Sequence, residues 1–201
     1  MQRFYFVITF LPLPRDDNFL VSQCIRTLHG FSYKYKLNSL GVNFPKWSDA
    51  ELGSQIAFVC DDVKILEQFR NSHYFKQMNA HQIFAISDVH IVQESNQPEC
   101  RFIRTRKLEK YSVNGSKRAV KRLENRALTR GEIQYQPKTV SATKVIAPHC
   151  HQIPLDSKST KQPSFYLHIY REICDEITLT GYSRYGLATK GEHQGSVPLV
   201  L

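Results

Sequence analysis

The chain has 201 residues, 41% of them apolar and 22% charged, and a formal net charge of +9. Those totals describe one large or two small folded domains and exclude a disordered chain. The longest apolar run is too short to span a bilayer, and the positive excess points to a polyanion, foremost a nucleic acid, before a membrane surface.

Residues 3–11, RFYFVITFL, are dense in aromatic and β-branched side chains and predict a first strand, with Phe4, Phe6, Ile8 and Phe10 on its core face. No small-residue cleavage site follows, so the stretch reads as a strand rather than a signal peptide. Pro12 and Pro14 end it. Asp16, Asp17 and Asn18 are N-cap candidates for a helix whose apolar spacing runs from Phe19 to Leu28, with Gly30 expected as its C-cap and His29 at its close. Strands are predicted at 40–44, 55–60 and 82–93, and a helix capped by Asp61-Asp62 runs to about Arg70.

The order strand–helix–strand–strand–helix–strand is the ferredoxin-like pattern. The expected fold class is α+β: a ferredoxin-like (RRM-like) domain over residues 1–95, and a less regular α/β domain over 96–201 that carries an Arg-rich helix. RNA-recognition domains share the first pattern, as do unrelated proteins. The third strand has no Lys/Arg-Gly-Phe stretch, so base stacking on an open sheet is not expected.

Residues 94–100 are polar and form the expected boundary. The charge changes there: residues 1–99 hold nine Lys/Arg and ten Asp/Glu, residues 100–201 eighteen and eight. Within 101–130 stand eleven Lys/Arg and two acids. Residues 101–107 alternate and predict a strand or extended arm presenting Arg104 and Arg106. Asn114-Gly115-Ser116 reads as a turn and N-cap, followed by a helix over 117–130 ended by Gly131. Ala119, Val120, Leu123 and Ala127 share one face of that helix. Arg118, Arg122, Arg126 and Arg130 form an i, i+4 ladder about 18 Å long on another, with Lys117 and Lys121 beside it. Like charges so spaced repel, and Arg suits bidentate phosphate contact, so the ladder predicts a polyanion partner over a merely solvated face. Residues 133–163 read as loop, 164–171 and 176–182 as strands, and the tail as Gly-rich with an apolar, strand-like end.

Five cysteines, widely spaced and without a CxxC, argue against a disulfide framework and for a reducing cytoplasm. His149-Cys150-His151 is the one place where a metal could be suspected, but adjacent residues do not readily converge on one ion. No acidic cluster of the DxD kind suits catalytic Mg²⁺, which disfavours a two-metal nuclease. Metal-free RNA cleavage needs a proton-transfer group, for which histidine is the natural residue, and donors or cations around the phosphate. His29 is the leading candidate of eight histidines, although a histidine beside a helix C-terminus also stabilises the helix end. Ser157, Ser159 and Thr160, in a basic loop, and Tyr185 suit either a site or ordinary turns.

Taken in order, Leu28-His29, Gly41-Val42-Asn43-Phe44-Pro45, Arg104 and Arg106, the Arg-rich 117–130, Ser157-Lys158-Ser159-Thr160 before Phe165, and Tyr185-Gly186-Leu187 with Val197-Pro198 resemble the CRISPR repeat-processing endoribonucleases of type I-F systems. The segments ITFLP, LHGFSYKY and GVNFPKW are most similar to the form encoded within CRISPR-associated transposons. The resemblance implies a metal-independent, cofactor-free endoribonuclease that cuts precursor RNA at the base of the repeat hairpin. It leaves 5′-hydroxyl and 2′,3′-cyclic phosphate ends and stays on the product as a subunit of the guide-RNA surveillance complex. It further implies that His29 transfers the proton, Ser157 (or Ser159) holds the attacking 2′-hydroxyl and Tyr185 orients His29. Arg104 and Arg106 would read base edges, Lys117, Arg118, Lys121, Arg122, Arg126 and Arg130 would lie along the stem with Ser159 and Thr160 as further RNA contacts, and Phe165 would stack on the terminal base pair. Arg106 stands where the family usually has Gln, and Pro163-Ser164 lengthens the segment before Phe165. Implied partners are the repeat hairpin, the backbone and other subunits of the complex and, from the transposon likeness, a transposition targeting protein. A non-catalytic hairpin-binding subunit of a ribonucleoprotein and a general or ribosome-associated RNA-binding protein are the rival readings.

Overall fold

The computed structural model describes residues 2–11, 16–93, 98–105, 113–132, 149–157 and 162–201, with backbone only for 113–118, 156–157 and 162–164. The fold is α+β. The chain divides into two compact units, Met1–Arg104 with His149–Leu201, and Thr105–Pro148.

The first unit holds two sheets. Strands β1 (Phe4–Phe10), β2 (Gly41–Asn43), β3 (Gln55–Cys60), β4 (Phe84–Ile86) and β5 (His90–Ile91) make one, ordered β2-β3-β1-β4 with β5 also on β1. Every pairing in it is antiparallel. Helices α1 (Asp17–Tyr35) and α2 (Val63–Arg70) fall where the ferredoxin-like pattern requires, and a third, α3 (His73–Ala80), follows α2. The second sheet, ordered β10-β6-β8-β7, joins β6 (Glu99–Thr105), β7 (His151–Ser157), β8 (Gln162–Cys174) and β10 (Val197–Pro198), with β9 (Ala188–Thr189) parallel to β6.

Period-2 alternation explains β1: Phe6, Ile8 and Phe10 are buried, and Phe4 is partly buried against them. Phe58, Phe69 and Phe75 close over Phe6. Phe58 and Phe69 meet edge to face at 4.9 Å, as do Phe69 and Phe75 at 5.2 Å, a geometry that adds to their burial energy. Ile153, Leu155, Leu167 and Ile169 of the second sheet belong to the same core. A buried polar link also ties the sheets. Arg3 donates two hydrogen bonds to Glu99, at 2.9 and 2.7 Å, and Ser196 donates to the same carboxylate at 2.9 Å.

Several expectations need correction. Gly30 does not cap α1, which runs on to Tyr35; Lys36 takes the left-handed cap with φ 55° and donates to Ser32. Packing carries the helix past the glycine: Ser32 is buried, and Phe31 meets Phe69 at 5.0 Å. The predicted strand 82–93 is split, because the Ser87 hydroxyl accepts from Val7 N at 3.0 Å and interrupts the ladder on β1. Residues 176–182 are not a strand. Their backbone groups are engaged elsewhere: Thr178 N donates to Ser196 Oγ at 2.8 Å and Tyr182 N to Asn38 O at 3.0 Å. Residues 151–157, read as loop, form β7, with Ile153 and Leu155 alternating into the core. Glu99 and Cys100 belong to β6 rather than to a linker, and both are buried.

In the second unit, α4 runs Val113–Thr129, so Asn114-Gly115-Ser116 lie inside it rather than forming its turn and cap. A short turn signal is a weak preference that a longer helical pattern overrides. Gly131, with φ 78°, follows the helix end and donates to Leu128 O at 3.0 Å. Among the described residues no helix is long and apolar enough to cross a membrane.

Candidate active site

His29 projects from the body of α1, one residue after the fully buried Leu28. A side chain so placed inherits the rigidity of a packed helix rather than the freedom of a loop. Its companion comes from the C-terminal part of the chain. Ser183 to Gly186 form a tight turn closed by Gly186 N donating to Ser183 O at 2.8 Å, and β2 holds the turn through Val42 N to Gly186 O at 2.9 Å. Gly186 has φ 72°, and a Cβ there would lie 2.5 Å from Val42 Cγ2 and 2.6 Å from Leu28 Cδ2. Only glycine lets this turn sit so close to α1 and β2.

That close docking places the Tyr185 ring on His29, with centroids 4.4 Å apart and planes 8° from parallel. The Arg104 guanidinium, near the end of β6, lies over the same tyrosine ring at 5.4 Å, within cation–π range. Arg184 reaches the other way and lies over Tyr33, one helical turn beyond His29, at 5.0 Å. The cluster therefore joins α1, β6 and the 183–186 turn: an imidazole, two phenols and two guanidinium groups.

Electrostatics suit a proton acceptor. Burial lowers the His29 pKa below its ordinary 6.5, the nearby Arg184 charge lowers it further, and a backbone hydrogen bond at Arg184 acts in the opposite sense. The ring is therefore neutral at pH 7, the form able to take a proton. Its Nδ1 is buried and has no hydrogen-bond partner among the described residues.

The other predicted residues fall as follows. Ser157 ends β7 opposite Gln162, after a register irregularity between Leu155 and Ser157. Phe165 lies in β8 opposite Leu155, half-buried and packed against the core. Lys117 and Arg118 belong to the backbone of α4; Lys121, Arg122 and Arg126 are exposed on it, with Ala127 buried. Arg130 follows the helix and forms an ion pair with Glu132 at 3.1 Å. Arg106, Ser159 and Thr160 lie outside the described residues, as do 94–97 and 133–148 of the predicted boundary and loop. At His149-Cys150-His151 the side chains turn to protein partners: His151 Nε2 meets Ser48 O at 2.8 Å and His149 lies 3.7 Å from Asp49. Sequence reading missed Arg184 and Tyr33. Their signals were adjacency to Tyr185 and the i+4 spacing from His29.

No curated protein matches the chain. A family model does: residues 5–199 match that of the CRISPR-associated protein Cas_Csy4. With that match covering nearly its whole length, the chain belongs to the Cas_Csy4 family of CRISPR RNA-processing endoribonucleases.

Proposed function

We propose that this protein cleaves CRISPR precursor RNA at the base of the repeat hairpin by metal-independent attack of a 2′-hydroxyl, and remains on the hairpin as a subunit of the surveillance complex. The observation that carries the reading is the neutral, half-buried His29 stacked on Tyr185, with the Arg104 guanidinium over that tyrosine and the Arg184 charge near the imidazole. His29 takes the proton of the 2′-hydroxyl, whose oxygen attacks the adjacent phosphorus. The P–O5′ bond breaks, the 5′-oxygen leaves and gains a proton, and the upstream product ends in a 2′,3′-cyclic phosphate. Tyr185 fixes the plane of the imidazole. Arg104 offers charge-assisted donors at the foot of the stem, where Arg106 would join it. Ser157 is the proposed holder of the 2′-hydroxyl, with Ser159 as the alternative.

The ladder of Arg118, Arg122, Arg126 and Arg130, with Lys117, Lys121, Ser159 and Thr160, would grip the stem's phosphates, and Phe165 would stack on the terminal pair. Side chains enter the A-form major groove only where it opens, near a stem end or loop. Cytoplasmic location, the other subunits as partners, and pairing with a transposition targeting protein complete the reading. The test uses a repeat hairpin in EDTA. Cleavage should vanish with His29→Ala and with a single 2′-deoxy at the scissile nucleotide, while tight binding persists. Wild-type protein that binds the hairpin and never cuts it would leave the non-catalytic subunit as the better reading.

A further inference from the structure

The end of α1 carries exposed tyrosines and lysines to which the cleavage reading gives no role, and of their neighbours only Arg184 is shared with it. Residues 32–36 read Ser-Tyr-Lys-Tyr-Lys, without an acid. Tyr33 is 65% exposed and Tyr35 40%. Each ring is covered by a cation: Arg184 lies 5.0 Å from the Tyr33 centroid and Lys34 Nζ 5.0 Å from that of Tyr35. Tyr35 is braced from behind, accepting a hydrogen bond from Gln68 Nε2 at 2.9 Å and packing on Phe31 at 4.7 Å. Arg184, Lys34 and Lys36 are exposed and pair with no carboxylate among the described residues.

We propose that Tyr33, Tyr35, Lys34, Lys36 and Arg184 form a platform for the single-stranded RNA that flanks the cleaved phosphate. Aromatic faces interleaved with unpaired cations are what unstructured RNA binds: the bases stack and the backbone meets the charges. Position selects RNA over a protein partner. Tyr33 is one turn, about 6 Å of helix rise, from His29, so a strand leaving that residue passes over the patch. The platform rests on the reading of His29 as the residue at the scissile phosphate. Two segments share this chemistry, the strand 5′ of the stem and the strand 3′ of the cut.

The test measures binding of an uncleavable hairpin, 2′-deoxy at the scissile nucleotide, as the stem alone, with a 5′ extension and with a 3′ extension. In the wild-type protein one extension should tighten binding about tenfold, the effect of one lost or gained base stack, and the arm that does so identifies the segment. Tyr33→Ala should reduce that RNA to stem-only affinity and leave the stem-only affinity unchanged. Tyr33→Trp should restore the gain. Extensions that add nothing, or a gain untouched by Tyr33→Ala, would overturn the platform. So would unchanged RNA affinities with weakened assembly onto other protein subunits, which would assign the patch to a protein interface. Wild-type protein that ignores the hairpin stem overturns the cleavage reading instead. The platform is then judged on an unstructured oligonucleotide, whose binding Tyr33→Ala must weaken.

Discussion

Gly186→Ala tests how the turn that bears Tyr185 is seated. The residue has φ 72°, and the new Cβ would meet Val42 Cγ2 at 2.5 Å and Leu28 Cδ2 at 2.6 Å. A left-handed conformation costs a residue with a Cβ about 1–2 kcal/mol, and forcing a methyl group into a packed site costs about 1–3 kcal/mol more. The expected loss of stability is therefore about 2–5 kcal/mol by urea denaturation. The methyl group can be accommodated only if the turn lifts from α1 and β2, and that carries Tyr185 off His29. Displacement of about 1 Å can cost a hundredfold in rate, so single-turnover cleavage should fall about a hundredfold in protein that is still folded and still binds the hairpin. Val42→Ala removes one of the two clashing atoms but not the strain in φ. The double variant should therefore recover part of the stability and rate, and the coupling appears in a double-mutant cycle. A stability loss under about 1 kcal/mol with an unchanged rate would refute the account of how this turn is held.

Arg184→Gln removes a charge that lowers the His29 pKa, so the acid limb of the single-turnover pH–rate profile should move to higher pH; an unmoved limb would separate Arg184 from the proton transfer. Because the folded His29 pKa lies below its unfolded value near 6.5, the unfolded chain binds the proton more readily. Its contribution to stability is present above that value and is lost as pH falls toward the folded pKa. Glu99→Gln leaves the buried Arg3 cation without its carboxylate and should cost about 3–5 kcal/mol in urea denaturation. Arg122→Ala with Arg126→Ala should reduce the steepness of the log-affinity against log-salt plot by about 2 while leaving the circular dichroism spectrum unchanged, since both side chains are exposed.

The ferredoxin-like half was legible because its signals are local: alternation in β1, short apolar runs at β2 and β3 that are buried along almost their whole length, and an Asp before each of the first two helices. Asp62 caps α2 through Lys64 N and Ile65 N, as read. The errors fall where tertiary contacts override local preference. Gly30 lies inside a helix that Phe31 and Ser32 hold together, and Ser87 breaks a strand by a side-chain bond to Val7. Residues 176–182 have a strand's composition but bond to Ser196 and Asn38. At the site, the pairing of His29 with Tyr185 was available only through family resemblance, because 156 residues separate them and no period links them. Arg184 carried no signal beyond its neighbour. Its importance depends on the turn directing it over Tyr33, which is a consequence of the docking at Gly186.

The partition of charge bears on the proton transfer. RNA bound at His29 would raise its pKa, because phosphates favour the imidazolium, and a base already protonated cannot act. The site opposes this in two ways, by half-burying the ring and by setting the Arg184 cation beside it. A protein uniformly basic around His29 would depress the pKa further but would offer competing phosphate sites next to the catalyst. Here α1 and β1 to β5 belong to the nearly neutral part of the sequence, and most of the cationic excess lies in 101–130. On the proposed reading, cations beside His29 are few and individually aimed, whereas those on α4 are many and would serve affinity. It follows that losing Arg184 should shift the acid limb more in the RNA complex than in the free enzyme, since in the complex the phosphates no longer meet a nearby opposing charge. Comparing the pH dependence of the single-turnover rate at saturating protein with that at subsaturating protein separates the two states.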